Sequence, residues 1–194
     1  MTLTRDSLLT LEAYAKARKQ MRADIIPHRL LRSVRLGEFM NLQFEDEHTI
    51  RYQVQEMLRI EKIFEEQGIQ DELQTYTPLV PDGHNWKATM LLEYPDVEQR
   101  RVALGQLIGV EGKVYVEVAG QPRVYAIADE DLERDNAEKT ASVHFLRFEF
   151  GPAMMAVMRT GPGIVIGCDH PHYDMRQVIA PATRDALLKD LAAT

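Results

Sequence analysis

Trp86, Ala88, Met90, Leu92 and Tyr94 fall on every second position of one run, the pattern of a strand with one buried face. The same period recurs nearby. Val34 and Leu36, then Met40, Leu42 and Phe44, flank Gly37-Glu38, and the spacing predicts a β-hairpin. Val114, Val116 and Val118 lead through Gly120-Gln121-Pro122 into Val124–Ala128, which reads as a second hairpin. Further strands are expected over Ala141–Phe150, Ile164–Cys168 and Gln177–Ala180.

Helices are expected between these groups. Asp6 or Ser7 can cap a first helix running to about Ala23. Pro27 should end it or open a second short turn, because the residue before a proline avoids helical backbone. The strongest helical pattern runs from about Glu47 to Gln67, capped near Asp46 and closed by Gly68, with Ile50, Val54, Met57, Leu58 and Phe64 as its apolar stripe. A shorter helix over Gln70–Tyr76 is stopped by Pro78 and Pro81, and Asp96 caps another that ends near Gly109. Pro152–Thr160 and Pro181–Leu191 complete the helices, each opened by proline. Helices that do not alternate regularly with strands argue against a parallel βαβ sheet. The expected fold is a single α+β domain over residues 1–194, a mainly antiparallel sheet with helices packed on it.

A formal net charge of −7 argues against general nucleic-acid binding, which needs a basic surface to neutralise phosphates. The charge is unevenly spread. Lys16, Arg18, Lys19, Arg22, Arg29, Arg32 and Arg35 share a span in which Asp24 is the one acid, whereas Asp129-Glu130-Asp131 and Glu133 mark an acidic loop. The basic span is either a solvated helix face or a docking surface for an acidic partner. Cys168 is the only cysteine, so neither an intramolecular disulfide nor a cysteine zinc cluster can form. No secretory signal opens the chain, and no apolar run approaches the ~20 residues of a membrane span, so no membrane role and a cytoplasmic location are expected.

Polar groups of functional type concentrate in residues 25–61, as Pro27-His28-Arg29, Phe44-Glu45, Thr49-Ile50-Arg51, Gln55-Glu56-Met57 and Arg59-x-Glu61. With Glu72-Leu73-x-Thr75-Tyr76, Leu79-x-Pro81 and His170-Pro171, this set resembles domain-of-unknown-function family 3501, a bacterial protein family, over most of the chain. The resemblance supplies no reaction. It implies a setting, since members are often encoded near rubrerythrin-like proteins and iron–sulfur oxidoreductases. That would make such redox proteins the partners, and this chain an accessory component in oxidative-stress defence. It also raises His28 above the other histidines, because His28 lies in the family's most specific motif.

Two clusters invite chemistry. In Cys168-Asp169-His170-Pro171-His172, proline pushes His170 towards extended backbone, and residues two apart on extended chain point to one side. Both imidazoles could then converge on a transition metal such as zinc or iron, with Cys168 or a distant His28, Glu56 or Glu61 as third ligand. Otherwise these residues shape a strand exit. The second cluster joins His28 and Arg29 to one face of the long helix, where Arg51, Gln55 and Arg59 recur at i, i+4 and i+8, and Glu56 is within i+3 reach of Arg59. Such a face could grip a carboxylate or phosphate through guanidinium forks. Its structural alternative is an ion-pair lattice tying the helix to the hairpin through Glu38 or Glu45. Glu61 and Glu65 suggest a di-iron helix, but Glu45-x-x-His48 has no second copy, which argues against a ferritin-like centre. Gly161-Pro162-Gly163 lacks the Lys-Ser/Thr ending of a phosphate loop.

The leading expectation is therefore a ligand- or partner-binding accessory protein in redox or metal physiology. It would act through His28, Arg29, Arg51, Gln55, Glu56, Arg59 and Glu61. The alternatives are a metal-dependent enzyme built on His170 and His172, and a docking module for an acidic partner.

Overall fold

Gly37 takes a φ of +64°, a conformation that favours glycine, and reverses the chain so that Leu36 faces Met40 across the first hairpin. The computed structural model describes residues 3–130, 134, 138–161 and 163–192. Asp131, Glu133 and Pro162 of the expected acidic loop and glycine-rich turn lie outside them. In chain order the strands are β1 (Ser33–Leu36), β2 (Met40–Phe44), β3 (Asn85–Leu92), β4 (Val114–Val118), β5 (Val124–Tyr125), β6 (Ile127–Ala128), β7 (Val143–Glu149), β8 (Ile164–His170) and β9 (Tyr173–Val178). The helices are α1 (Leu11–Leu31), α2 (Glu47–Glu61), α3 (Glu66–Tyr76), α4 (Val97–Gln106), α5 (Pro152–Thr160) and α6 (Pro181–Leu187).

The fold is α+β and its ladders are antiparallel, but the strands form two sheets rather than one. One runs β1-β2-β3-β7-β6 and the other β5-β4-β8-β9. Val124–Ala128 is the reason: it divides at Ala126, pairing β5 with β4 in one sheet and β6 with β7 in the other. The inner faces share one core, Leu42, Phe44, Trp86, Met90 and Phe148 from the first sheet meeting Val114, Val116, Ile166 and Cys168 from the second. Met154, Met155 and Met158 of α5 join that core, as do Leu187 and Leu191.

The helices depart from expectation at two places. Pro27 lies inside α1, which runs on to Leu31 with Thr10 as its N-cap. Proline forfeits a hydrogen bond to the carbonyl four residues back, here Ala23, and both residues are exposed, where water can take that carbonyl. The long helix breaks at Lys62, whose left-handed φ of 56° ends α2, and Gly68 sits within α3 instead of closing α2. A Cβ on Gly68 would come within 2.7 Å of Ile63. Phe64 consequently leaves the apolar stripe for the link and is 71% exposed.

Ile50, Val54 and Leu58 of α2 bury against Ile69 and Leu73 of α3 and against Leu3 and Leu8, a second core separate from that between the sheets. No described helix is long and apolar enough to cross a membrane.

Gly167 faces Tyr115 across β4 and β8, and a Cβ there would lie 2.4 Å from the tyrosine ring. Tyr115 is buried and has Arg123 over its ring at 4.1 Å, so it has little room to yield. Gly167→Ala is expected to cost about 1–3 kcal/mol in urea denaturation, the usual range for overpacking; an unchanged midpoint would show that the ring shifts freely.

Candidate functional site

The outer face of the first sheet is mixed, with Gln43, Lys87, Thr89 and Arg147 set among Leu91, Val143 and Phe145. Gln43 pairs with Thr89 and Thr89 with Phe145, while Lys87 pairs with Arg147 and accepts, at its carbonyl, the Glu45 backbone N–H at 2.8 Å. Alternation puts these residues on the side away from Phe44, Ala88 and Leu146. Because α2 and α3 bury their apolar stripes chiefly against one another, they roof this face without filling the space beneath. Two neighbouring chambers result. The inner one, about 300 Å³, is lined by Arg29, Gln43, Glu45, Ile50, Gln53, Tyr76 and Thr89 among others. The outer one, about 460 Å³, is lined by Thr75, Pro78, Lys87, Glu130 and Arg147 among others, and Tyr76, Leu79 and Phe145 border both.

The inner chamber holds two unsatisfied charged groups. Glu45 is only 5% exposed; its Oε1 accepts from the Thr89 hydroxyl at 2.8 Å, and its Oε2 is buried with no partner among the described residues. Arg29 Nε is likewise buried and unpartnered, and its guanidinium makes no ion pair among the described residues. An orphaned buried polar atom costs about 1–3 kcal/mol, and native proteins hold few of them. Both residues line the inner chamber. In the outer chamber, Lys87 Nζ donates to the Pro78 carbonyl at 2.8 Å. Burial, reinforced by the Arg147 charge, holds the Lys87 ammonium below its usual pKa. Arg147 is committed to Glu130 at 2.8 Å and Glu149 at 2.5 Å.

The structure disperses the residues singled out from the sequence. Of that set, only Arg29 reaches the cleft. Nearby, His28 Nε2 donates to Asp46 Oδ2 at 2.7 Å, and its ring lies 4.8 Å from that of His48. Asp46 caps α2 through the Thr49 N–H at 2.9 Å. Burial pushes the Asp46 carboxyl up, but Arg32, the Thr49 N–H and His28 outweigh it and hold the group below its usual range. Arg32, noticed in the sequence only as one of a basic run, is a buried hub: it donates to the carbonyls of Phe44 at 3.1 Å and Glu45 at 2.9 Å and pairs with Asp190. Burial raises Asp190 to about 6 despite that pair.

The Arg51–Arg59 helix face is an ion-pair lattice, but with partners other than the hairpin glutamates. Arg51 pairs with Glu47 at 2.5 Å, and Gln55 clamps the Leu9 backbone, accepting from its N–H at 2.9 Å and donating to its carbonyl at 3.1 Å. Glu56 takes the Tyr14 hydroxyl at 2.5 Å, Arg18 at 2.7 and 2.9 Å, and Arg59 at 3.2 Å, which binds α2 to α1. Glu61 is exposed at the end of α2. Ion pairs also occupy part of the basic span: Lys16 pairs with Glu12, Arg18 with Glu56 and Arg35 with Glu93.

Cys168 is wholly buried, and burial pushes its thiol up to about 11. His170 Nδ1 accepts the His172 backbone N–H at 3.2 Å and its Nε2 donates to the Ile108 carbonyl at 3.2 Å, so an ion could be taken only by breaking one of these bonds. The two rings lie 5.9 Å apart, and among the described residues no group of three or more His, Cys, Asp or Glu is placed to hold a metal. His144 is sealed in the interior between Asp129 at 2.6 Å and Thr140 at 2.8 Å, a structural setting without access. Sequence reasoning missed Lys87 and Thr89, and it noted Glu45 and Tyr76 in the motif without assigning them to the site. The signal was their place on the polar side of alternating strands or in the motif, but alternation does not reveal where a helical roof leaves a gap.

Fold and site together define an α+β protein with a cleft between a helical layer and a sheet. The chain belongs to the family described as Protein of unknown function (DUF3501), whose pattern matches residues 2–191. A crystal structure at 1.90 Å resolution of a novel protein of unknown function from Burkholderia pseudomallei K96243 is 58% identical, with a TM-score of 0.93, over 99% of this chain and 100% of that one. No curated protein matches.

The Arg18 hydrogen bonds foremost, against burial and with help from Tyr14 and Arg59, lower Glu56 to about 2. A depressed folded-state pKa adds stability above the unfolded value that is lost as pH falls through the folded one. Glu56→Gln should therefore be less stable than the parent at pH 7, with the gap closing between about pH 4.5 and 2. Urea titrations across that range check this, and a pH-independent gap would remove the charge from the explanation.

Proposed function

We propose that this protein is a cytoplasmic ligand-binding protein whose cleft takes a small molecule presenting a hydrogen-bond donor to Glu45 and an acceptor to Arg29. The observation that carries the reading is that Glu45 and Arg29, each with a buried polar atom that has no partner among the described residues, both line one chamber of about 300 Å³. Gln43, Gln53 and Thr89 add neutral hydrogen-bonding capacity around them. A concave pocket with largely apolar walls and a few polar groups is the ordinary form of a small-molecule site. The family resemblance adds a setting, accessory work in redox or metal physiology beside rubrerythrin-like or iron–sulfur proteins, and no further residue.

Native mass spectrometry of gently purified protein tests the proposal. A small-molecule adduct released on unfolding is expected, and Glu45→Gln or Arg29→Met should weaken its retention about 10- to 100-fold, the worth of one charge-assisted hydrogen bond. Circular dichroism should show both variants folded. Equal retention by folded variants would overturn the assignment of these residues.

A further inference from the structure

The second sheet ends on an open strand. β5 and β6 run into one another through Ala126, whereas β9 closes the order β5-β4-β8-β9 with no strand beyond it among the described residues. The first residue of β9 is fastened to the first hairpin, the Tyr173 hydroxyl donating to the Leu36 carbonyl at 2.5 Å and accepting the Met40 N–H at 3.0 Å. From Asp174 to Val178 every residue is exposed. The Ile179 N–H donates to the Ile164 carbonyl at 3.0 Å, and hydrogen-bonded pairs alternate along an antiparallel ladder. The backbone groups of Tyr173, Met175 and Gln177 are therefore turned to β8, and those of Asp174, Arg176 and Val178 to the open margin. Gln177 agrees with this parity: its Nε2 donates to the Val178 carbonyl at 2.8 Å, a group turned away from β8. A margin of this kind is a template for another strand.

The side chains along it say which strand fits. Asp174 and Arg176 share the outer side of the sheet. Arg176 reaches Glu117 with one nitrogen at 2.5 Å, while Asp174 lies across from Asp169, a like charge, and makes no ion pair among the described residues. We infer that β9 pairs with β9 of a second copy of this chain, antiparallel about a two-fold axis at Met175. In that register Asp174 lies opposite Arg176 of the second copy, twice over by symmetry, and the outward backbone groups of these residues meet as hydrogen-bonded pairs. Met175, 44% exposed, meets its own counterpart on the other side of the sheet. Moving the axis by one residue sets the two Arg176 side chains face to face, so charge selects the register as well as the partner.

Sedimentation velocity of the full chain from about 1 to 500 µM, the range in which weak dimers dissociate, should show a monomer–dimer equilibrium. Asp174→Arg and Arg176→Asp each place like charges opposite one another at both contacts and should weaken dimerisation about 10- to 100-fold. Both positions are exposed, so both variants should keep the circular dichroism of the parent. An equimolar mixture of the two restores opposite charges at both contacts, and a heterodimer of near-parental affinity should form. A parent that stays monomeric overturns the proposal, as does a dimer that ignores both substitutions or a mixture that stays monomeric. Should Arg176→Asp fail to fold, Asp174→Arg decides alone: undiminished dimerisation of that variant overturns the proposal.

Discussion

The cleft depends on a buried guanidinium that does not touch it. Arg32, 2% exposed, ties the end of α1 to the end of β2 through the Phe44 and Glu45 carbonyls, to the α2 cap through Asp46 at 3.5 Å, and to the C-terminal segment through Ala186 at 3.3 Å and Asp190. Only arginine offers enough donors in a fixed planar fork to serve several acceptors from one point. By gripping the Glu45 carbonyl, Arg32 fixes a residue that lines the inner chamber. By pairing with Asp46, it also sets where α2 begins, and hence how the roof lies over the floor.

The space between roof and floor follows from how apolar surface is divided. A helix usually buries its stripe against the nearest sheet. Here α2 and α3 satisfy each other and the N-terminal leucines, while the first sheet buries its apolar side against the second sheet. What remains between them is mixed on the sheet side and only partly apolar on the helix side, a poor match for close packing. A gap lined partly by hydrogen-bonding groups is the physical outcome, and Glu45 and Arg29 are among the residues that line it.

Much of the architecture was legible in the chain because period-two alternation is a strong and local signal. The Gly37 hairpin, β3, β7 and α5 stand close to where spacing places them. What was hidden depends on distant contacts. Nothing local distinguishes a strand that stays in one sheet from Val124–Ala128, which serves two. Pro27 reads as a helix end unless the exposure of its side of α1 is known. For the site, Arg29 was legible as a motif arginine and Glu45 as a motif acid. Their shared chamber was not, since it needs the sheet register and the helical roof together. The i, i+4 face of Arg51, Gln55 and Arg59 was equally visible, yet its partners lie on α1, in the N-terminal segment and within α2.

Residues 186–191 also set an order for folding. The Trp86 indole donates to the Leu187 carbonyl at 2.9 Å, Leu187 and Leu191 are buried in the core between the sheets, and Arg32 finds two of its acceptors at Ala186 and Asp190. Until that stretch has been synthesised, Trp86 and Arg32 would each carry polar groups without partners into a closing interior, which is costly. The hairpins and the α2–α3 pair can form as they emerge, but the core between the sheets closes only once this late segment is available. The interior between the sheets is thus completed by a segment remote in sequence from the strands that it seals.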